Sequence, residues 1–232
     1  MKGLRRSSPS KTSESDTLSD SRITMVDRLS PLGRIIVQGI LKRLHRSVFH
    51  IFGTALAPGV SLFVPPKVFL IGMGAVTGAF IAFEGTRFAY KKVNRWFFRY
   101  CLKLLRGQEV SRLTGVTYIM VATLICFLSF RSEIAVLAMV FLAVGDPLSG
   151  VVGPWGRWWI RGRTLEGHLA FFIPSLSAGW VLSYYLFGIS PIIPIVGAVV
   201  AAVIHALNLP VNDNLTIPVS AGLAMTMVGW VL

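Results

Sequence analysis

The stretch Val144–Gly167, VGDPLSGVVGPWGRWWIRGRTLEG, leaves one apolar run through Gly145-Asp146 and crosses a segment rich in Gly and Arg. It enters the next apolar run through Glu166-Gly167. Carboxylates at the edges of two membrane-like segments, with Arg157, Arg161 and Arg163 between them, are expensive to place there unless they have a use. The pattern predicts two membrane helices joined by an active-site loop, with Asp146 in the broken end of the first helix and Glu166 at the start of the second.

The rest of the chain agrees with a membrane setting. It has 232 residues, 53% hydrophobic and 14% charged, with a mean hydropathy of +0.66. Soluble domains carry charge on roughly a quarter of their residues. The net charge of +13 arises from 23 Lys and Arg against 10 Asp and Glu, and the basic residues cluster between apolar runs. That distribution points to anionic lipid head groups and a phosphorylated substrate, and away from nucleic acid. Cys101 and Cys126 fall in a polar segment and in an apolar one, too far apart in depth for a disulfide, and both read as structural.

Residues 1–30 show no apolar periodicity and read as a disordered tail without a secretory signal. Residues 31–232 read as one integral membrane domain. Between Pro31 and Arg46, Ile35, Ile36, Ile40, Leu41 and Leu44 alternate with basic residues, which predicts an amphipathic helix on the membrane surface. A span needs about 20 mainly apolar residues, with about 17 as the floor. Seven segments qualify, near 48–64, 67–85, 115–131, 133–150, 168–187, 190–207 and 215–232. The expected fold is therefore all-α, a polytopic bundle of about seven spans with surface amphipathic helices.

With the N-terminus cytoplasmic, that side collects ten Lys and Arg before His50, eight from Arg87 to Arg112 and three at 157–163. These are 21 of the 23, and only Lys67 and Arg131 fall on the other side. The positive-inside rule favours this topology. It brings residues 84–114, 146–166 and 208–214 to the cytoplasmic face, where nucleotides are.

Several polar groups share helix faces there. Arg46 and His50 are four apart, Glu84 and Arg87 three apart, Arg106 and Glu109 three apart. For Arg46 with His50 interfacial anchoring, and for Glu84 with Arg87 a local ion pair, weigh evenly against a role in a site. Phe88–Leu113 alternates basic and aromatic residues and predicts a second surface helix. Thr114-Gly115-Val116-Thr117-Tyr118 opens the third span with small and hydroxylated residues that permit close helix approach. Asp213-Asn214 precedes the last span and is open to two readings, as a helix cap or as part of a site. If the spans bundle, Asp146, Glu166 and Asp213 converge at one depth, a donor set suited to Mg²⁺ with nucleotide phosphates. The sequence carries no GxxxxGK[ST], no GxGxxG and no zinc-ligand spacing.

Taken in order, Arg46 with His50, ExxR at Glu84 and Arg87, RxxE at Arg106 and Glu109, TGxTY at 114–118, GD at Gly145-Asp146, RTLEG at 163–167 and DNxTIP at 213–218 resemble the CTP-dependent lipid kinases. That family includes dolichol kinase, phytol kinase and the yeast-type diacylglycerol kinase. The likeness runs over residues 42–232 and rests on the ordered set.

The resemblance implies transfer of the CTP γ-phosphate to the hydroxyl of a membrane lipid alcohol, with Mg²⁺ or another divalent cation. It makes Asp146, Glu166 and Asp213 the catalytic and metal candidates. Arg157, Arg161, Arg163, Gly145, Gly167 and Asn214 become the nucleotide and phosphate candidates. Arg46, His50, Glu84, Arg87, Arg106, Glu109, Thr114 and Thr117 are additional polar site residues. Three positions depart from the family pattern: Arg163 stands where a lysine is usual, Ser47 where a second basic residue is common, and His205 where a glutamate is expected. Rival readings are a CTP-dependent cytidylyltransferase acting on a lipid phosphate, a membrane transporter built on broken helices, and a non-catalytic scaffold. The sequence does not specify an oligomeric state.

Overall fold

Residues 31–101 and 112–232 are described by the structure, a computed structural model. The expected disordered tail at 1–30 and the pair Arg106 and Glu109 lie outside the described residues, as does the side chain of Arg46. The chain divides into two units, Met1–Lys42 and Arg43–Leu232, and the packing and pocket described below belong to the second.

Eight α-helices account for most of the described chain: α1 (Pro31–Ser61), α2 (Pro66–Ala89), α3 (Lys91–Cys101), α4 (Gly115–Ser129), α5 (Ser132–Val152), α6 (Leu165–Leu182), α7 (Ile192–Leu207) and α8 (Asp213–Gly229). A surface helix at 31–46 and a separate span at 48–64 were expected, but α1 runs through both, since residues 40–52 contain neither Pro nor Gly to stop it. Pro66 opens α2 at its first position, where the missing N–H would have no partner anyway. Thr164 caps α6, its Oγ1 accepting from Gly167 N–H at 3.2 Å. A π-helical turn, Ser183–Phe187, extends α6 and ends at Gly188 with φ 61°.

Three helices are long and apolar enough to cross a bilayer: α2, α5 continued to Trp155, and α6 continued to Phe187. Ser47–Ser61, Gly115–Ser129 and Ile192–Leu207 are apolar but shorter. The chain is mostly helical, as expected, and carries one short hairpin besides. Trp159–Ile160 (β1) and Arg163–Thr164 (β2) pair antiparallel between α5 and α6, because Arg161 and Gly162, at φ 49° and 83°, make a tight two-residue turn.

Helix α5 is the centre of the core. From Ile134 to Ala143 nearly every side chain is buried, and it packs on α6 and α8. A helix apolar on all sides belongs inside a bundle. Phe171 of α6, Ala198 and Ala201 of α7, and Ile217, Ala221 and Met225 of α8 complete the core cluster. On the outside, large apolar side chains stand exposed along α2, among them Val68, Ile71, Val76 and Ile81.

Candidate functional site

A pocket of about 270 Å³ opens where α5, β2, the start of α4 and the α7–α8 connection meet. Asp146, Arg163, Asp213 and Asn214 line it together with Tyr118, Arg112, Leu113 and residues 208–212. Four of the residues singled out in the sequence thus share one cavity. Helix α5 does not break at Asp146 as expected; it continues through the buried Pro147 to Val152. The carbonyls of this turn are held from the side: Ser149 Oγ–H donates to Asp146 C=O at 2.8 Å, and Ser47 Oγ–H to Pro147 C=O at 3.3 Å. Ser47 therefore ties α1 to the Asp146 turn.

Arg163 spans the pocket. One terminal nitrogen donates to His205 C=O at 3.1 Å and the other pairs with the Asp213 carboxylate. A lysine offers one ammonium point charge and could not present a planar fork to both partners. The cap of α8 is Asn212, one residue earlier than expected, which accepts Asn214 N–H at 3.0 Å, while the Asp213 side chain pairs with Arg163. Asn214 Nδ2–H donates to Gly115 C=O at 3.1 Å and fastens the pocket to α4. On the α1 side, His50 Nε2 lies 3.8 Å from Asp146 Oδ2.

Behind the pocket runs a chain of side chains that sequence reasoning did not assemble. His205 Nε2 is 3.2 Å from Ser149 Oγ, and His205 Nδ1 is 3.2 Å from His168 Nδ1. Phe171 stacks on the His205 ring at 4.4 Å. Only His205 carried a signal in the sequence; Ser149 and His168 lie three and one residues past the GD and RTLEG stretches and read as ordinary helix positions.

Glu84, Arg87, Thr114 and Thr117 form a separate knot. Glu84 and Arg87 are 2% and 0% exposed, so their charges must be satisfied by protein. Arg87 Nε–H donates to Glu84 Oε2 at 2.9 Å, and its terminal nitrogens reach Glu84, Asn94 Oδ1 and Arg112 C=O. Glu84 Oε1 accepts Thr114 N–H and Thr117 Oγ–H, each at 3.0 Å. These four residues join α2 to α4 and none of the four lines the pocket.

Other expectations are corrected. Glu166 does not converge with Asp146 and Asp213: its Oε1 accepts Arg157 N–H at 2.8 Å, closing the 156–166 segment, and it is absent from the pocket wall. Gly156 leaves it room, since a Cβ there would strike Glu166 Oε2. Gly145 and Gly167 sit where helices approach too closely for a side chain. A Cβ on Gly145 would lie 2.6 Å from Ser175 Oγ and 2.8 Å from Phe171, and one on Gly167 would lie 3.0 Å from Gly153 Cα. Arg157 and Arg161 are exposed and outside the pocket.

Among the described residues no three His, Cys, Asp or Glu side chains gather as a metal-binding group. Two carboxylates, Asp146 and Asp213, remain among the residues that line the pocket. That set fits Mg²⁺, which is commonly held by one or two carboxylates plus substrate phosphates rather than by an all-protein cage.

No family model matches the chain, and no solved structure matches it. The chain is similar to "Uncharacterized protein RP860" of Rickettsia prowazekii (strain Madrid E), at 25% identity over 194 residues, covering 81% of this chain and 95% of the relative.

Proposed function

We propose that this chain is a multi-pass membrane lipid kinase that transfers the γ-phosphate of CTP to the hydroxyl of a membrane lipid alcohol, of the polyprenol, phytol or diacylglycerol type. In this reading the helices cross the bilayer seven times, and the N-terminus and the pocket face the cytoplasm. The observation that carries it is the shared pocket of Asp146, Arg163, Asp213 and Asn214, residues drawn from three separate sequence motifs. The distribution of 21 of 23 basic residues to one side supports the orientation.

Phosphoryl transfer asks a protein for positioning and charge stabilisation more than covalent chemistry. Arg163 is preorganised by His205 C=O and Asp213 to receive the oxygens of the transferring phosphoryl group. Asp146 and Asp213 would hold Mg²⁺ with the phosphates, and the ion would supply neutralisation of the charge on the leaving diphosphate. The lipid hydroxyl oxygen forms the new bond to the γ-phosphorus as the bond to the β-phosphate oxygen breaks and CDP leaves. The hydroxyl proton leaves to solvent water at the open side of the pocket, Asp146 being committed to the ion. At about 270 Å³ the pocket is near the lower end of ligand sites, which suits the triphosphate with the base extending along residues 208–212.

The test is purified protein in lipid nanodiscs with γ-labelled CTP, Mg²⁺ and a panel of polyprenols, phytol and diacylglycerol. Label is expected in one lipid class, falling about a hundredfold or more in Asp146→Asn, the scale of losing one transition-state contact. No transfer to any lipid by the wild-type protein removes the kinase reading. Pyrophosphate release with CMP attached to a lipid phosphate would replace it with a cytidylyltransferase.

A further inference from the structure

The segment between α5 and α6 is held in one conformation. β1 and β2 pair Trp159 with Thr164 and Ile160 with Arg163, Trp158 C=O accepts Leu165 N–H at 2.7 Å, and Glu166 takes Arg157 N–H. Yet many of its exposed side chains are apolar or aromatic. Trp155, Trp158 and Trp159 are 64, 70 and 68% exposed, Ile160 is exposed beside them, and Arg157 and Arg161 are exposed among the indoles. Three indoles left open to water within five residues, Trp155 ending the 3-10 turn Gly153–Trp155 and Trp158 and Trp159 at the hairpin, call for an apolar or amphipathic cover.

Location and charge together identify the cover. The hairpin directly joins the two consecutive helices α5 and α6, both long and apolar enough to cross a bilayer, so it sits at the depth where both end. That depth is the head-group layer, where Trp is enriched because its ring meets hydrocarbon and its N–H meets polar groups. Arginines at the same level face lipid phosphates, and the guanidinium fork matches phosphate oxygens.

We propose that the 155–162 hairpin is a lipid-binding anchor: its three indoles lie in the head-group layer, and Arg157 and Arg161 bind the phosphates of anionic phospholipids. This lipid site is distinct from the pocket of Arg163. It rests on the reading that α5 and α6 cross the membrane and is independent of any kinase activity.

The test uses the full chain with Trp96, Trp180 and Trp230 changed to Phe, reconstituted in phosphatidylcholine bilayers, with hairpin fluorescence read against brominated lipids. Bromines near the head group are expected to quench more than bromines near the chain end. At equal mole fraction, brominated phosphatidylglycerol is expected to quench several-fold more than brominated phosphatidylcholine, on the scale of about fivefold per juxtamembrane arginine. Arg157→Gln with Arg161→Gln should bring that ratio to one, while Arg131→Gln leaves it unchanged.

A hairpin quenched by aqueous acrylamide and by neither brominated lipid overturns the proposal and leaves the indoles to water or a protein partner. Equal quenching by the two lipids overturns the anionic site. A companion chain whose single Trp is Trp180, exposed on α6, separates the two levels. If Trp180 is quenched from the bilayer and the hairpin is not, the anchor fails while the membrane reading stands. If neither is quenched, both fail.

Discussion

His205 on α7 and Ser149 on α5 are joined through Nε2 and Oγ at 3.2 Å, and the partners of each fix the direction of the bond. Ser149 has one hydroxyl proton, which goes to Asp146 C=O, so Oγ accepts from His205 Nε2–H. With neutral rings, His205 Nδ1 is then an acceptor and His168 Nδ1–H donates to it. The chain runs from His168 to the turn that carries Asp146. His205→Phe would keep the stacking on Phe171 and strand the His168 donor, with an expected loss of about 1–3 kcal/mol. Unfolding in mild detergent measures this, and His168→Phe with His205→Phe should lose less than the two single changes added together.

Arg163→Lys keeps the charge at the pocket and loses the fork between His205 C=O and Asp213. Under the proposed reaction, transfer should fall at least about tenfold, since one charge-assisted hydrogen bond contributes about 1.5–3 kcal/mol. The unfolding midpoint should move little, because Arg163 is only partly buried. Rates of label transfer beside thermal unfolding separate the two effects.

Glu84→Gln or Arg87→Met, made singly, leaves a buried charge without its partner and should destabilise by about 3–5 kcal/mol. The double change Glu84→Leu with Arg87→Leu should be milder than either single change, since no uncompensated charge remains. Thermal unfolding of the three variants decides this. Milder single variants would mean that water reaches the knot.

Gly145→Ala puts a methyl against Ser175 Oγ and Phe171 and should cost about 1–3 kcal/mol through overpacking at the α5–α6 contact. Combining it with Ser175→Gly should recover part of the loss. The unfolding midpoint is the measurement. An unchanged midpoint for Gly145→Ala would mean that Phe171 and Ser175 shift aside at little cost.

Periodicity and motif order made the helical character, the GD and DN motifs and Arg163 legible, since each is announced by a local change from apolar to polar. Contacts between distant segments were not. Glu166 looked equivalent to Asp146 because both edge an apolar run, but the tight turn at Arg161-Gly162 folds the intervening segment back so that Glu166 binds Arg157 N–H. Gly145 looked like a phosphate glycine because it precedes Asp146, whereas its need for space comes from Phe171, 26 positions later in the chain. The helix break expected at Pro147 did not occur; one missing N–H is a local loss that neighbouring helices can absorb.

The two walls of the pocket differ in compliance. Asp146 rides on the same rod as the sealed stretch from Ile134 to Ala143, so that wall cannot yield without disturbing the middle of the molecule. Residues 208–211, which also line the pocket, are exposed. Any adjustment to the shape of a bound molecule therefore falls to this connection, and efforts to retune ligand preference belong there rather than on α5.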